Sequence, residues 1–299
     1  MGTFVGHIVP GLTLALLGLW HTFNTIKAYN LKGKTKFHSR FWYPFNIPFY
    51  SFKYLELILI FSFSIFAIVM QVLDFPLLKI SLKLDNLEHA TMFVHLVIYA
   101  GFTLAVELMH SPECLMGLTG ILATTVFSQE LLLLHFHSAD HTGLEGHCHW
   151  LLQLIVVVSL TSCIAMTSFS SSFVPAIVLS ISVMFQGFWF INMGLMLWVP
   201  QFVPKECTTR LLEGGLKVMV SAVTCETEEA GMRAKALATL EFSWLLAGIV
   251  ILTSFMSLML SGKCVERNRP SEYEQLHSSR SLDLGRIAMT THEFLQVQS

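Results

Sequence analysis

Charge is what this sequence has least of. Among its 299 residues only 13% are Asp, Glu, Lys or Arg, while 54% are hydrophobic, and the mean hydropathy is +0.62. A soluble domain carries roughly 25% charged residues to coat its water-facing surface, so a soluble globular fold is excluded. The few charges nearly cancel, 18 Lys and Arg against 20 Asp and Glu. That balance gives no basic face, and no Lys/Arg stretch with interleaved aromatics suggests nucleic acid, so nucleic-acid partners are set aside.

Other absences narrow the reading further. Six cysteines are too few and too scattered for a disulfide scaffold. The chain has no CxxC pair, no HExxH, no nucleotide-binding loop, no Ser nucleophile elbow, no kinase signature and no internal repeat. Its start, "MGTFVGHIVPG", lacks the cationic region of a signal peptide and places His7 and Pro10 within it, so the first apolar run is expected to be retained. Gly6 falls where a myristoylation signal needs Ser or Thr.

What the chain does have is long apolar runs. A hydrocarbon core of about 30 Å takes about 20 helical residues at 1.5 Å each. Runs of that order lie at Phe4–Ile26, Tyr54–Leu73, His89–Met109, Leu115–Leu134, Trp150–Phe169, Phe173–Val199 and Leu237–Leu260. The expected fold is therefore all-α: a polytopic membrane protein, a bundle of seven transmembrane helices spanning 1–262, with the lipid bilayer as its partner. The Ser-, Arg- and Glu-rich segment 263–299 reads as a disordered cytosolic tail. Gln129, Glu130, Gln186 and Asn192 sit inside the fourth and sixth runs, where polar groups must face other helices or water. Between the last two runs, Pro200–Ala236 is expected to hold a short helical or irregular segment.

Lys and Arg in the connections set orientation. The first connection and the tail hold eleven of them, among them Lys27, Lys32, Lys34, Lys36, Arg40 and Lys53, and the opposite side holds seven. The N-terminus is thus expected on the non-cytosolic side and the C-terminus in the cytosol. Cys207 and Cys225 then share a non-cytosolic connection, where oxidation to a disulfide is possible.

The same topology gathers histidines. Five of the 13 fall within "LHFHSADHTGLEGHCHW", Leu134–Trp150, and His7, Glu88 and His89 open helices at the same face, with His95, Glu130 and Glu241 near it. A second, smaller polar set, His21, Glu56, Glu107 and His110, collects at the cytosolic ends of the first three helices. His137, His141, Glu145 and His149 recur every four residues, the spacing of one helical face. Gly143 and Gly146 nevertheless argue for a folded-back loop, with His149 arriving from the fifth helix. Neutral imidazoles with a carboxylate suit zinc, so His137, His141, His149, His89 and His7 are the candidate metal ligands. Glu145 is the candidate catalytic base, and Asp140, His135 and Glu130 are supporting polar groups. Imidazoles also titrate near neutral pH, so the cluster would equally serve as a proton-responsive element. Capping and packing of helix ends explain the same residues without chemistry. Haem needs an axial histidine from each of two helices at one depth, and the fifth helix has none below His149.

At these residues the chain resembles a known family: the plant branch of seven-span proteins described as domain of unknown function 716, or plant viral-response proteins, related to the transmembrane-protein-45 family of animals. The resemblance rests on "MGTFVGHIVPG", "GLWHTFN", "FKYLELILI", "LEHATM", "QELLLLHFHSADHTGLEGHCHWLLQL", "FQGFWFINMGLMLWVP", "VPKEC" and "RAKALATLEFSW". The family pattern falls on His7, Pro10, Gly11, Trp20, His21, Glu56, His89, His135, His137, Asp140, His141, Gly143, Glu145, Gly146 and His149. His147 and Cys148 vary within it, and Glu130 and Glu241 are Gln in some members. The resemblance implies a seven-span fold and a stress or pathogen response, and no reaction.

Three function classes follow. The first is a non-enzymatic multi-pass membrane protein with a His-rich polar site at its non-cytosolic face. The second is a membrane-embedded metal-dependent hydrolase of a lipid or amide, its water activated by zinc. The third is a proton-coupled transporter, against which stands the lack of repeated halves or matched broken helices.

Overall fold

A computed structural model describes residues 3–47, 50–74, 79–80, 83–109, 112–139, 143–209 and 223–267. Seven helices in it are long and apolar enough to cross a membrane. They are α1 (Phe4–Lys32), α2 (Leu55–Val72), α3 (Leu84–Leu108), α4 (Pro112–Ala139), α5 (Gly143–Ser168), α6 (Phe173–Trp198) and α7 (Glu228–Arg267). All seven expected runs are present, and most helices extend beyond their apolar stretch. α7 begins nine residues before Leu237, where polar Glu228 and Glu229 form its first turn.

Local chemistry sets several ends. Thr3 caps α1, its Oγ1 accepting from the Gly6 amide at 3.0 Å. Gly33, at φ 72°, ends it by donating its amide to the Tyr29 carbonyl; only glycine takes that backbone conformation without strain. Gly143, at φ 78°, opens α5.

Lipid is as apolar as leucine, so helices associate here through close packing and buried hydrogen bonds rather than a hydrophobic drive. Neighbours follow the order α2, α3, α4, α5, α6, α1. α6 carries two stripes at alternating spacings of three and four. One meets α1: the positions a Cβ would take on Gly18, Gly187 and Gly11 run into Met184, Ala15 and Ile191 respectively, and that on Gly194 lies 3.2 Å from the His7 Cβ. The other stripe meets α5, with Ser159 Oγ donating to Ser182 Oγ at 2.8 Å and Gln186 Nε2 to Ser159 Oγ at 2.7 Å. Trp189, fully buried, donates its indole N–H to the Cys148 carbonyl at 3.0 Å. On α7, Ala234, Ala238, Phe242 and Leu245 pack against this α5–α6 core.

Three connections are more ordered than their composition suggests. Between α6 and α7, where a helical or irregular segment is expected, the strands Cys207–Thr209 and Val223–Cys225 pair antiparallel. Cys207 sits opposite Cys225 in that register, and the two form the disulfide anticipated from the sequence. A covalent clamp across the ladder favours extended backbone there over a helix. The pair packs on α5, and Arg233 of α7 reaches Glu206 at 3.0 Å. After α1, the chain folds back under the bundle: Phe37, Ser39, Trp42 and Tyr43 are buried. Short antiparallel pairs also follow α1, at Phe45–Ile47 with Tyr50–Phe52, and α2, at Leu73–Asp74 with Lys79–Ile80.

The chain divides into two units, Met1–Met256 and Ser257–Ser299. Of the second, the described part is the end of α7 up to Arg267. The tail beyond it, read from sequence as disordered, lies outside the described residues.

Candidate functional site

The histidine stretch does not form one helical stripe. α4 ends at Ala139 and α5 begins at Gly143, so His137 belongs to one helix and Glu145 and His149 to the next. Gly146 lies inside α5 rather than in a loop. Asp140, His141 and the side chain of His137 lie outside the described residues, as does His110 of the smaller set.

What the structure does bring together is His149, Glu145 and His7. Glu145 and His149 are one turn apart on the buried face of α5, 1% and 5% exposed. From α1, His7 arrives opposite, also 5% exposed, and the two imidazole centroids are 6.2 Å apart. α6 supplies the wall: Trp198 lies 4.6 Å and Phe190 6.0 Å from the His7 ring, centroid to centroid, and Gly194 leaves room for the His7 side chain.

Each ring is oriented in the same way. His7 Nδ1 lies 3.0 Å from the Thr3 carbonyl and His149 Nδ1 lies 2.9 Å from the Glu145 carbonyl, in both cases four residues back on the same helix. A carbonyl only accepts, so Nδ1 carries the proton and the lone pair of the neutral ring is on Nε2. This is the arrangement that prepares an imidazole to take a proton or a metal at Nε2. The Trp198 ring lies tilted at 40° to the His7 ring, and Glu145 is the acidic residue one turn from His149.

The remaining expected members are dispersed. His89 is half-buried on α3, and Met92, one turn on, touches the α5–α6 core. His95 Nδ1 is held by the Thr91 carbonyl at 3.2 Å. His135 is exposed, its Nδ1 3.4 Å from Gln153 Oε1. Glu130 is half-buried on α4. His147 turns to α7, its Nε2 2.9 Å from Thr239 Oγ1, and Glu241 accepts from Asn192 Nδ2 at 2.9 Å. Among the described residues, no three His, Cys, Asp or Glu side chains gather as a metal would need. A zinc shell would therefore depend on His137 and His141.

The second polar set is built around one carboxylate. Glu56, 7% exposed, accepts from Trp20 Nε1 at 3.0 Å and from the Tyr43 amide at 3.0 Å, and lies 2.8 Å from His21 Nε2. Tyr43 adds a hydroxyl contact with Thr25 Oγ1 at 2.9 Å, and burial pushes its phenol above the usual range. Glu107 accepts from Trp42 Nε1 at 3.2 Å and faces Lys53 Nζ at 3.8 Å. About 21 Å of α1 separates His7 from His21 at 1.5 Å per residue, so the two sets are distinct.

Sequence reading missed Trp198, Phe190 and Gly194 as parts of the first site, and Tyr43 and Thr25 as parts of the second. The available signal was spacing: His7, Gly11 and Gly18 on α1 answer Gly187, Gly194 and Trp198 on α6.

Seven helices long and apolar enough to cross a membrane, with buried polar side chains between them, define an all-α, multi-pass membrane protein. Within that class, residues 116–258 match the model of a family described as "Family of unknown function (DUF716)". The match supports this chain's being a member of that family. It includes Glu145 and His149, and it does not reach His7 or Glu56.

Proposed function

We propose that this is a non-enzymatic multi-pass membrane protein that responds to the acidity of the non-cytosolic compartment through His7 and His149. The observation that carries the reading is the burial of two imidazoles 6.2 Å apart, each with Nδ1 committed to its own helix. A proton can be added only at Nε2, and in this reading Glu145, one turn from His149, balances one positive charge. Two would repel by about 3 kcal/mol at an effective dielectric constant near 20. Acidification would thus push the N-terminal ends of α1 and α5 apart. The resemblance to viral-response proteins supports a stress or pathogen-response role for such a switch.

The proposed orientation puts the site and the N-terminus on the non-cytosolic side. Two independent features support it: the excess of Lys and Arg at the other end, and the Cys207–Cys225 disulfide, which persists in oxidising compartments. The disulfide follows Trp198 in the chain, at the end of α6 that His7 touches. A hydrolase would need water at its base, whereas Glu145 is 1% exposed. Transport by rocking would need α1 to leave α6, against their glycine contacts.

The test is thermal unfolding of the full chain in detergent at pH 7.5 and 5.5, with elemental analysis of the same samples. Wild type is expected to lose stability on acidification, and His7→Gln and His149→Gln, which keep polarity without titrating, to lose most of that response. Equal responses in all three would remove the proposal. Stoichiometric zinc that disappears in both variants would favour the metal-hydrolase reading instead.

A further inference from the structure

Whole-chain charge conceals a local imbalance. Residues 27–53 contain Lys27, Lys32, Lys34, Lys36, Arg40, Lys53 and His38, and no Asp or Glu. The balanced total, read above as giving no basic face, is therefore corrected at this end of the molecule.

The structure turns that composition into a fixed row. Along the segment after α1, Phe37 and Ser39 point inward while Lys34, Lys36, His38 and Arg40 are exposed. The backbone is pinned at several points. Both the amide and the Oγ of Ser39 donate to the Ser170 carbonyl, at 2.7 and 2.9 Å. Tyr99 donates its hydroxyl to the Phe41 carbonyl at 2.7 Å, and the Tyr43 amide is held by Glu56. The carboxylates described at this end are already engaged, Glu56 by Trp20, His21 and Tyr43, and Glu107 by Trp42 and Lys53. Among the described residues, no carboxylate forms an ion pair with Lys27, Lys32, Lys34, Lys36 or Arg40.

The depth is also defined. The apolar run of α1 ends at Ile26, so Lys27 and Lys32, in its last turns, mark the membrane–water boundary, where lysine stems lie along apolar surface and their heads reach water.

We propose that Lys32, Lys34, Lys36 and Arg40 bind the phosphate-bearing headgroups of anionic lipids in the leaflet at the C-terminal end of α1. Charge complementarity selects the partner. Clustered cations beside a transmembrane helix attract anionic headgroups, each strengthening the association roughly fivefold, and the arginine fork suits a phosphate. Only the assignment of that leaflet to the cytosolic side rests on the proposed orientation. The interaction itself does not involve the histidine site.

The test uses the full chain in detergent micelles, titrated with short-chain phosphatidylserine, short-chain phosphatidylcholine and inorganic phosphate, and read by native mass spectrometry. Wild type is expected to bind phosphatidylserine at least tenfold more tightly than phosphatidylcholine. Raising sodium chloride from 50 to 500 mM should weaken that binding without any substitution. The triple variant Lys34→Gln, Lys36→Gln, Arg40→Gln should lose about a hundredfold, from three cations at about fivefold each. The variant Lys205→Gln, Lys235→Gln, at the other end, should bind as wild type does. Equal binding of the two lipids, salt-insensitive binding, or an equal loss in both variants would overturn the proposal. Inorganic phosphate binding as tightly as phosphatidylserine would do so as well, because the site would then be one for a free anion.

Discussion

At the scale of single residues, hydrogen-bond direction decides more than residue type. Thirteen histidines look alike in the sequence, but among the described residues only His7 and His149 are buried with Nδ1 tied to a carbonyl and facing each other. The sequence revealed the candidates and the end of the bundle where they belong. It did not reveal their pairing, because that depends on α1 lying beside α6, which no local pattern encodes. Glu56 is the other decisive residue. Glu56→Ala would strand the Trp20 indole and the Tyr43 amide, and should destabilise the protein by about 2–3 kcal/mol, as for hydrogen bonds to a charged group. Glu56→Gln, which keeps an acceptor, should cost less; equal melting temperatures for the two variants would deny the carboxylate this role. Tyr43 adds a pH effect at the alkaline end. Burial raises its phenol in the folded state, so its contribution is fully present below the ordinary value of about 10 and is lost as pH rises through the folded one. Tyr43→Phe should flatten that alkaline loss in a melting-temperature profile.

At the scale of elements, all seven spans were legible because hydrocarbon demands long apolar runs, and their ends were not, because polar turns such as Glu228–Ala236 extend helices past the core. Gly143 and Gly146 show the limit of residue rules: the first opens α5 at positive φ, whereas the second lies within the helix because its neighbours pack. The α1–α6 contact yields a sharp prediction. Gly187→Ala would drive a methyl into the Ala15 backbone, where backbone cannot yield as a flexible side chain would, and should cost about 1–3 kcal/mol or more. Gly248→Ala, with nothing within 4 Å of the added Cβ, should be neutral or gain up to about 1 kcal/mol from helix propensity. Melting temperatures of the two variants in one detergent make the comparison. A Gly187→Ala protein as stable as wild type would mean α1 and α6 do not approach so closely.

At the scale of the whole molecule, two features support the proposed orientation, in which the histidine site faces the non-cytosolic compartment. Cysteine count alone argued against a disulfide scaffold, yet Cys207 and Cys225 pair because the topology returns both to one short ladder. Closing a loop with an 18-residue separation should contribute about 3 kcal/mol, so Cys207→Ser with Cys225→Ser, or reduction, should lower the melting temperature of the full chain. No change on reduction would mean the thiols are unpaired.

The central claim is that acid opens the end of the bundle where His7 meets His149. Cys148, adjacent to His149 and fully buried, reports on that end, while buried Cys163, about 22 Å further along α5 at 1.5 Å per residue, serves as the internal reference. The direct measurement is the rate at which dithiodipyridine, which reacts with thiols at acid as well as neutral pH, labels each cysteine at pH 7.5 and 5.5, resolved by peptide mapping. In the wild type, acidification should raise labelling of Cys148 relative to Cys163, and in His7→Gln and His149→Gln that rise should vanish. An unchanged ratio in the wild type, or the same rise in the variants, would contradict it.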